Sequence, residues 1–106
     1  MSSHTFNKTK WAQLTLFEQM GNIGSEVGRT MNALRRGDDA SAQGAFYRGL
    51  DLIDATAEAW STDKRTRKRE LLRSRELFAA AVEAGKPEIN LENYFMQYAI
   101  AARIGR

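Results

Sequence analysis

Leu16-Phe17-Glu18-Gln19-Met20-Gly21-Asn22-Ile23-Gly24-Ser25-Glu26-Val27-Gly28-Arg29-Thr30-Met31-Asn32-Ala33-Leu34 is the stretch that decides the fold. Its large apolar residues, Leu16, Met20, Ile23, Val27, Met31 and Leu34, recur at steps of 4, 3, 4, 4 and 3. At about 100° per residue this draws a single apolar stripe along a helix, a pattern that no strand produces. Thr15 precedes the stripe and Glu18 follows three residues on, the spacing of a capping box. Gly37 stands where a helix ends in a left-handed residue.

Outward from this helix the chain repeats the theme. Asp38 and Asp39 can cap a second helix with an apolar face of Ala42, Phe46, Leu50, Ile53, Ala57 and Trp60. Ser61-Thr62-Asp63, a weak stop, supplies caps for a third helix whose stripe is Leu71, Leu72, Phe78, Ala79 and Val82. Gly85 ends it and Pro87 prevents its continuation. Asn90 opens a fourth helix carrying Leu91, Tyr94, Phe95, Tyr98 and Ala102, closed by Gly105. The connections are short, which makes neighbouring helices antiparallel. The expected fold is all-α, an antiparallel four-helix bundle running up-down-up-down. Residues 1–10 read as a disordered tail and residues 11–106 as one domain, with Trp11 as the residue that pins the tail.

Composition removes several chemistries. There is no Cys among the 106 residues, which excludes disulfides, thiolate metal sites and thiol nucleophiles. His4 is the only histidine, so a zinc site or a Ser-His-Asp triad would have to recruit the polar tail. The Glu-x-x-His pairs of ferritin-like bundles are absent, as is the Arg, four to six residues, His motif of the HEPN ribonucleases. A carboxylate-only magnesium site stays open in principle, but Glu18, Glu26, Asp51, Asp54 and Glu58 show no recognisable ligand spacing. We therefore expect no enzyme, no cofactor and no metal. No apolar run reaches the roughly 18–20 residues of a membrane span. The N-terminus lacks the apolar core of a signal peptide, so a cytoplasmic protein is expected.

Two features lie outside this plain reading. Gly21, Gly24 and Gly28 share one flank of the first helix, at about 1 kcal/mol each against Ala. They form a shallow groove that Ala45 and Gly49 of the second helix are placed to meet. Tight packing within one bundle accounts for such a groove, and so does a subunit interface. Gly21, Gly24, Gly28 and Gly49, with Tyr94 and Tyr98 of the aromatic last helix, are the interface residues expected for a homo-oligomer or a protein partner. The second feature is Lys64-Arg65-Thr66-Arg67-Lys68-Arg69-Glu70-Leu71-Leu72-Arg73-Ser74-Arg75, with seven basic residues in twelve. Arg65, Arg69 and Arg73 line up on an outward face, with Arg67 and Lys68 beside them. They read either as a solvated face or as contacts to RNA or DNA phosphates. Arg75 falls within the apolar stripe, with Glu26, Asp51 and Asp54 as possible carboxylate partners.

The strings Glu18-Gln19-Met20-Gly21-Asn22-Ile23-Gly24-Ser25-Glu26-Val27, Leu72-Arg73-Ser74-Arg75-Glu76-Leu77 and Asn93-Tyr94-Phe95-Met96-Gln97-Tyr98-Ala99 resemble a family of short, uncharacterised bacterial and archaeal proteins. That resemblance spans most of residues 11–103. It implies a stand-alone helical domain and carries no activity. A looser analogy, at the level of fold alone, is to the accessory proteins of diversity-generating retroelements. Those are small basic bundles that oligomerise and bind a reverse transcriptase and nucleic acid. Self-association with partner binding is the leading expectation, and a nucleic-acid-binding accessory role is the alternative.

Overall fold

A computed structural model describes residues 7–60 and 65–104. They form α1 (Lys8–Gln13), α2 (Leu16–Arg35), α3 (Asp39–Ala59), α4 (Arg65–Ala84) and α5 (Ile89–Ile104). The four long helices make the antiparallel up-down bundle expected. Gly21 near the start of α2 lies against Ala99 near the end of α5. Arg35 at the end of α2 meets Glu92 at the start of α5.

Local chemistry sets most helix ends. The Thr15 hydroxyl accepts the Glu18 N–H at 3.1 Å while Glu18 Oε1 accepts the Thr15 N–H at 2.9 Å, so the capping box is closed. Gly37 and Gly85 adopt φ of +71° and +68°, which a glycine allows at no steric cost. Each is followed by an N–H that reaches back to a last-turn carbonyl, Asp38 to Ala33 and Lys86 to Ala81. Asp38 caps α3 by accepting the Ser41 N–H at 3.1 Å. The cap of α5 differs from expectation. Glu88, not Asn90, fills it: its Oε2 accepts the Asn90 N–H at 3.0 Å and its carbonyl accepts the Glu92 N–H. Ser61-Thr62-Asp63 and Gly105 lie outside the described residues, but α3 does end at Ala59 with Trp60 in an extended conformation.

The tail assignment gives way from Asn7 onward. Asn7 Oδ1 accepts the N–H groups of Thr9 and Lys10, and Lys8–Gln13 is helical. Trp11 pins this turn as expected, through a buried polar chain. Its indole N–H donates to Thr56 Oγ1 at 2.8 Å, and its carbonyl accepts Gln19 Nε2 at 2.9 Å. Gln19 Oε1 in turn accepts the Trp60 indole N–H at 3.1 Å. Gln19 and Thr56 are both buried, and this chain is what satisfies them.

The core is the α2 stripe: Met20, Ile23, Val27 and Met31 are each at most 1% exposed. Each such side chain contributes about 1.5–3 kcal/mol by leaving water. On α3 the buried line is Ala42, Ala45, Gly49 and Ile53, while Phe46 and Leu50 are only half-buried. Small residues there let α2 approach. On α4 the expected stripe is rotated: Leu71, Ser74, Phe78 and Ala81 are buried, and Leu72 is exposed. Ser74 tolerates burial because its hydroxyl donates to the Glu70 carbonyl at 3.1 Å. The same rotation brings Arg75 to the bundle edge, where it is half-exposed and bridges Asp54 at 2.8 Å. It forms a surface ion pair of small net worth, not the buried one its place in the stripe suggested.

The helices are not equally close. α2 packs extensively on both α3 and α5, and α4 packs mainly on α3. Between α4 and α5 the backbones rarely approach, so the ring of four is open along that seam.

Candidate functional site

The α2 glycines receive α5, not the second long helix. A Cβ at Gly21 would lie 3.4 Å from Ala99 Cα, and one at Gly24 would lie 2.8 Å from Phe95 Cβ. The expected encounter with Gly49 and Ala45 does not occur. Gly49 instead sits beneath the Phe78 ring of α4, where a Cβ would come within 2.8 Å of Cε2. Gly28 is different again, with nothing within 4 Å of a built Cβ. It lines a surface groove of about 310 Å³ between α2 and α5, together with Gly21, Gly24, Met96 and Ala99. Glu92 and Arg103 border this groove.

Tyr94 and Tyr98 do not form an outer patch. Tyr98 is buried, and its hydroxyl accepts from Arg67 Nη1 at 2.9 Å across the open seam. The Arg67 guanidinium also lies 5.9 Å from the centre of that ring. Tyr94 donates to Glu70 Oε1 at 3.4 Å and packs edge-on against Phe95 and Tyr98. Burial holds the Tyr94 hydroxyl protonated well above the ordinary phenol range, with the neighbouring Tyr98 hydroxyl and the Glu70 carboxylate adding to the effect. These residues bridge α4 and α5 around a cleft of about 370 Å³ whose wall includes Leu77, Leu91 and Arg73.

The apolar surface lies instead on the far side of α5. Ile89, Met96, Ile100 and Ile104 are 56%, 54%, 44% and 77% exposed. At about 100° per residue they cluster opposite the buried Leu91, Phe95 and Tyr98. The Leu91–Phe95–Tyr98 stripe drew attention to one face of this helix, yet its composition shows two. The signal was legible in Ile89-x6-Met96-x3-Ile100-x3-Ile104, a second apolar run at helical spacing.

Arg65, Arg67, Arg69 and Arg73 are exposed and Lys68 is half-buried. The other arginines of the described residues are mostly engaged. Arg29 and Arg48 hold Glu26, Arg35 holds Glu92, Arg36 holds Asp38 and Arg75 holds Asp54. Arg65, Arg69, Arg73 and Arg103 form no ion pair or hydrogen bond with another described residue.

The carboxylates considered for a cation are spent elsewhere: Glu26 on two arginines, Asp54 on Arg75, Glu58 on Lys8 and Glu18 on the α2 cap. Among the described residues no three His, Cys, Asp or Glu side chains gather closely enough to hold a metal ion. His4 lies outside them. No described helix is long and apolar enough to cross a membrane. Comparison with family models, curated proteins and solved structures finds no match to this chain, so its architecture is that of a small all-helical protein with no family identified.

Proposed function

We propose that this protein acts by self-association and partner binding without catalysis, two copies pairing through the outer face of α5 and the glycine groove beside it. The observation that carries this is the exposed line Met96, Ile100 and Ile104 on a helix that is already apolar toward its own core. A helix apolar on both sides needs cover on both. A second copy is the occupant the charges favour. Glu92 and Arg103 stand at opposite ends of the groove, an acid at one end and a base at the other. A two-fold axis level with the middle of the stripe sets Met96 of each copy against Ile100 of the other. The same operation brings Arg103 of each copy toward the Glu92 end of the other's groove, where it would add a second base to the Arg35–Glu92 pair, a self-complementary patch of the kind two-fold pairing requires. Arg103 has no partner among the described residues of its own chain, and Gly28 leaves the space such an approach would use.

Sedimentation equilibrium at micromolar concentration tests the proposal. The native chain should show the mass of two copies, and Met96→Lys/Ile100→Lys the mass of one with unchanged helical circular dichroism. A native chain that stays monomeric at the highest soluble concentration would falsify the proposal. A double variant that still pairs would move the interface off α5.

A further inference from the structure

We infer that the exposed face of α4 docks on the phosphodiester backbone of a nucleic-acid duplex, without reading its sequence. The residues are Arg65, Arg69 and Arg73, with Lys68 beside them. They are distinct from those of the α5 face, so this inference and the pairing of two copies stand or fall separately.

Three observations converge on this surface. First, the charge is segregated. Residues 64–75 hold seven bases and one acid, leaving nine bases against twelve acids in the rest of the chain. A body with an excess of acids thus carries one strongly basic edge, a footprint that orients a polyanion. Secondly, the bundle pairs its arginines almost everywhere else. Five are in ion pairs and Arg67 is bound to Tyr98, whereas Arg65, Arg69 and Arg73 hold no described partner. They lie opposite the buried Leu71, Ser74 and Phe78, so their side chains are free to follow an external charge. Spaced four residues apart, they advance by about 6 Å per step along the helix. That makes a row of three cations in one slanted line, suited to successive phosphates of one strand.

Thirdly, the placement opposes the stability of the helix. α2, α3 and α5 each carry an acid in the first turn: Glu18, Asp39 and Glu92. α4 carries none there and has Arg65, Arg67 and Lys68 instead, at the end where backbone dipoles already concentrate positive charge. A bound phosphate complements these side chains. Duplex is favoured over single strands because no aromatic residue interleaves with the row along α4. Tyr98 is buried, and Tyr94 packs edge-on against it in the seam. α4 contains no Asn or Gln for adenine edges, and the spacing of its arginines along the helix suits them to phosphates.

Fluorescence anisotropy with a labelled DNA duplex, an RNA duplex of equal length and the separate strands tests this across a salt series. The variant is Arg65→Gln/Arg69→Gln/Arg73→Gln, and the control is Arg29→Gln/Arg36→Gln/Lys86→Gln, which removes the same charge elsewhere. The native protein should bind duplex with a log–log salt slope of about −2.7 on DNA, the release expected for three phosphates. The row variant should lose tenfold or more and the control less than twofold, with the sedimenting mass the same in all three. Tighter binding of either duplex supports the inference and identifies the backbone preferred. It is overturned by absence of duplex binding at low salt, by equal losses in the two variants, by tighter binding of single strands, or by heparin competing as well as unlabelled duplex at equal charge.

Discussion

Gly24 and Gly28 show how far apart two like residues on one stripe can fall. They are one helical turn apart on the same flank of α2, and nothing in their spacing separates them. The structure does, through what stands opposite. Level with Gly24 is Phe95, whose Cβ would meet an added methyl at 2.8 Å. Level with Gly28 is Glu92, whose carboxylate turns away to Arg35 and leaves the space open. Gly24→Ala should therefore destabilise the bundle by about 1–3 kcal/mol, because the backbones of α2 and α5 must part. Gly28→Ala should stabilise it by about 0.5–1 kcal/mol, the ordinary helix preference of Ala over Gly. Urea midpoints of the two variants at dilute protein decide this, and equal effects would show that the groove packs differently. The glycine stripe was legible in the sequence; which of its members was occupied depended on a helix about 70 residues further along. Trp11 illustrates the other side. A lone large aromatic in a polar stretch was enough to predict an anchor. Its path through Thr56, Gln19 and Trp60 was not, because buried Gln and Thr look like surface residues until their partners are placed.

At the scale of elements, the chain spells out its helices where the end signals are short-range. The Thr15–Glu18 box and the two left-handed glycines involve atoms a few residues apart, and all three were readable. The cap of α5 was not, because Glu88 is an uncommon cap and Asn90 a favoured one. Glu88 gains the position by also placing its N–H on Met31 Sδ, at 3.3 Å, a contact across 57 positions of chain. The α4 stripe failed for a related reason. Leu72 looks more like a core residue than Ser74, but a serine that bonds its own helix can be buried, and the arginine beside it must then face the edge. The Asp38 cap carries a pH dependence. Hydrogen bonding to Ser41, then the charge of Arg36, holds its carboxyl below the usual range. A carboxyl lowered on folding contributes stability above its unfolded pKa of about 3.9 and loses it as pH falls through the folded value. Thermal melts taken downward from about pH 5 should thus show an acid loss that is smaller in Asp38→Asn, which keeps the cap without the charge. An identical pH profile in the two proteins would remove Asp38 from the acid response.

For the molecule as a whole, the up-down order followed from short connections, but the order of closeness did not. Helices joined in sequence are expected to be the closest pairs. Here α5 turns from α4 and embraces α2, drawn by the glycines that let its backbone near. The open seam between α4 and α5 is the result, held by long side chains such as Arg67 on Tyr98. The same glycines therefore placed the candidate surfaces: they drew α5 onto α2 and left its opposite face bare. The basic segment was legible as charge from the sequence, whereas the lack of described partners at Arg65, Arg69 and Arg73 could be seen only after the other arginines had been matched.

That seam also grades the molecule in time. α2, α3 and α5 enclose most of the core between them, while α4 is held along one flank and tied on the other by side chains alone. The amides of α4 should then exchange with deuterium through local opening that leaves the other three long helices closed, each helix keeping its own rate. Exchange of all four at one common rate would mean that the seam opens only when everything does. If α4 does lift first, its clamp is Arg67, and the helix that bears the cations is also the one most easily loosened from the body.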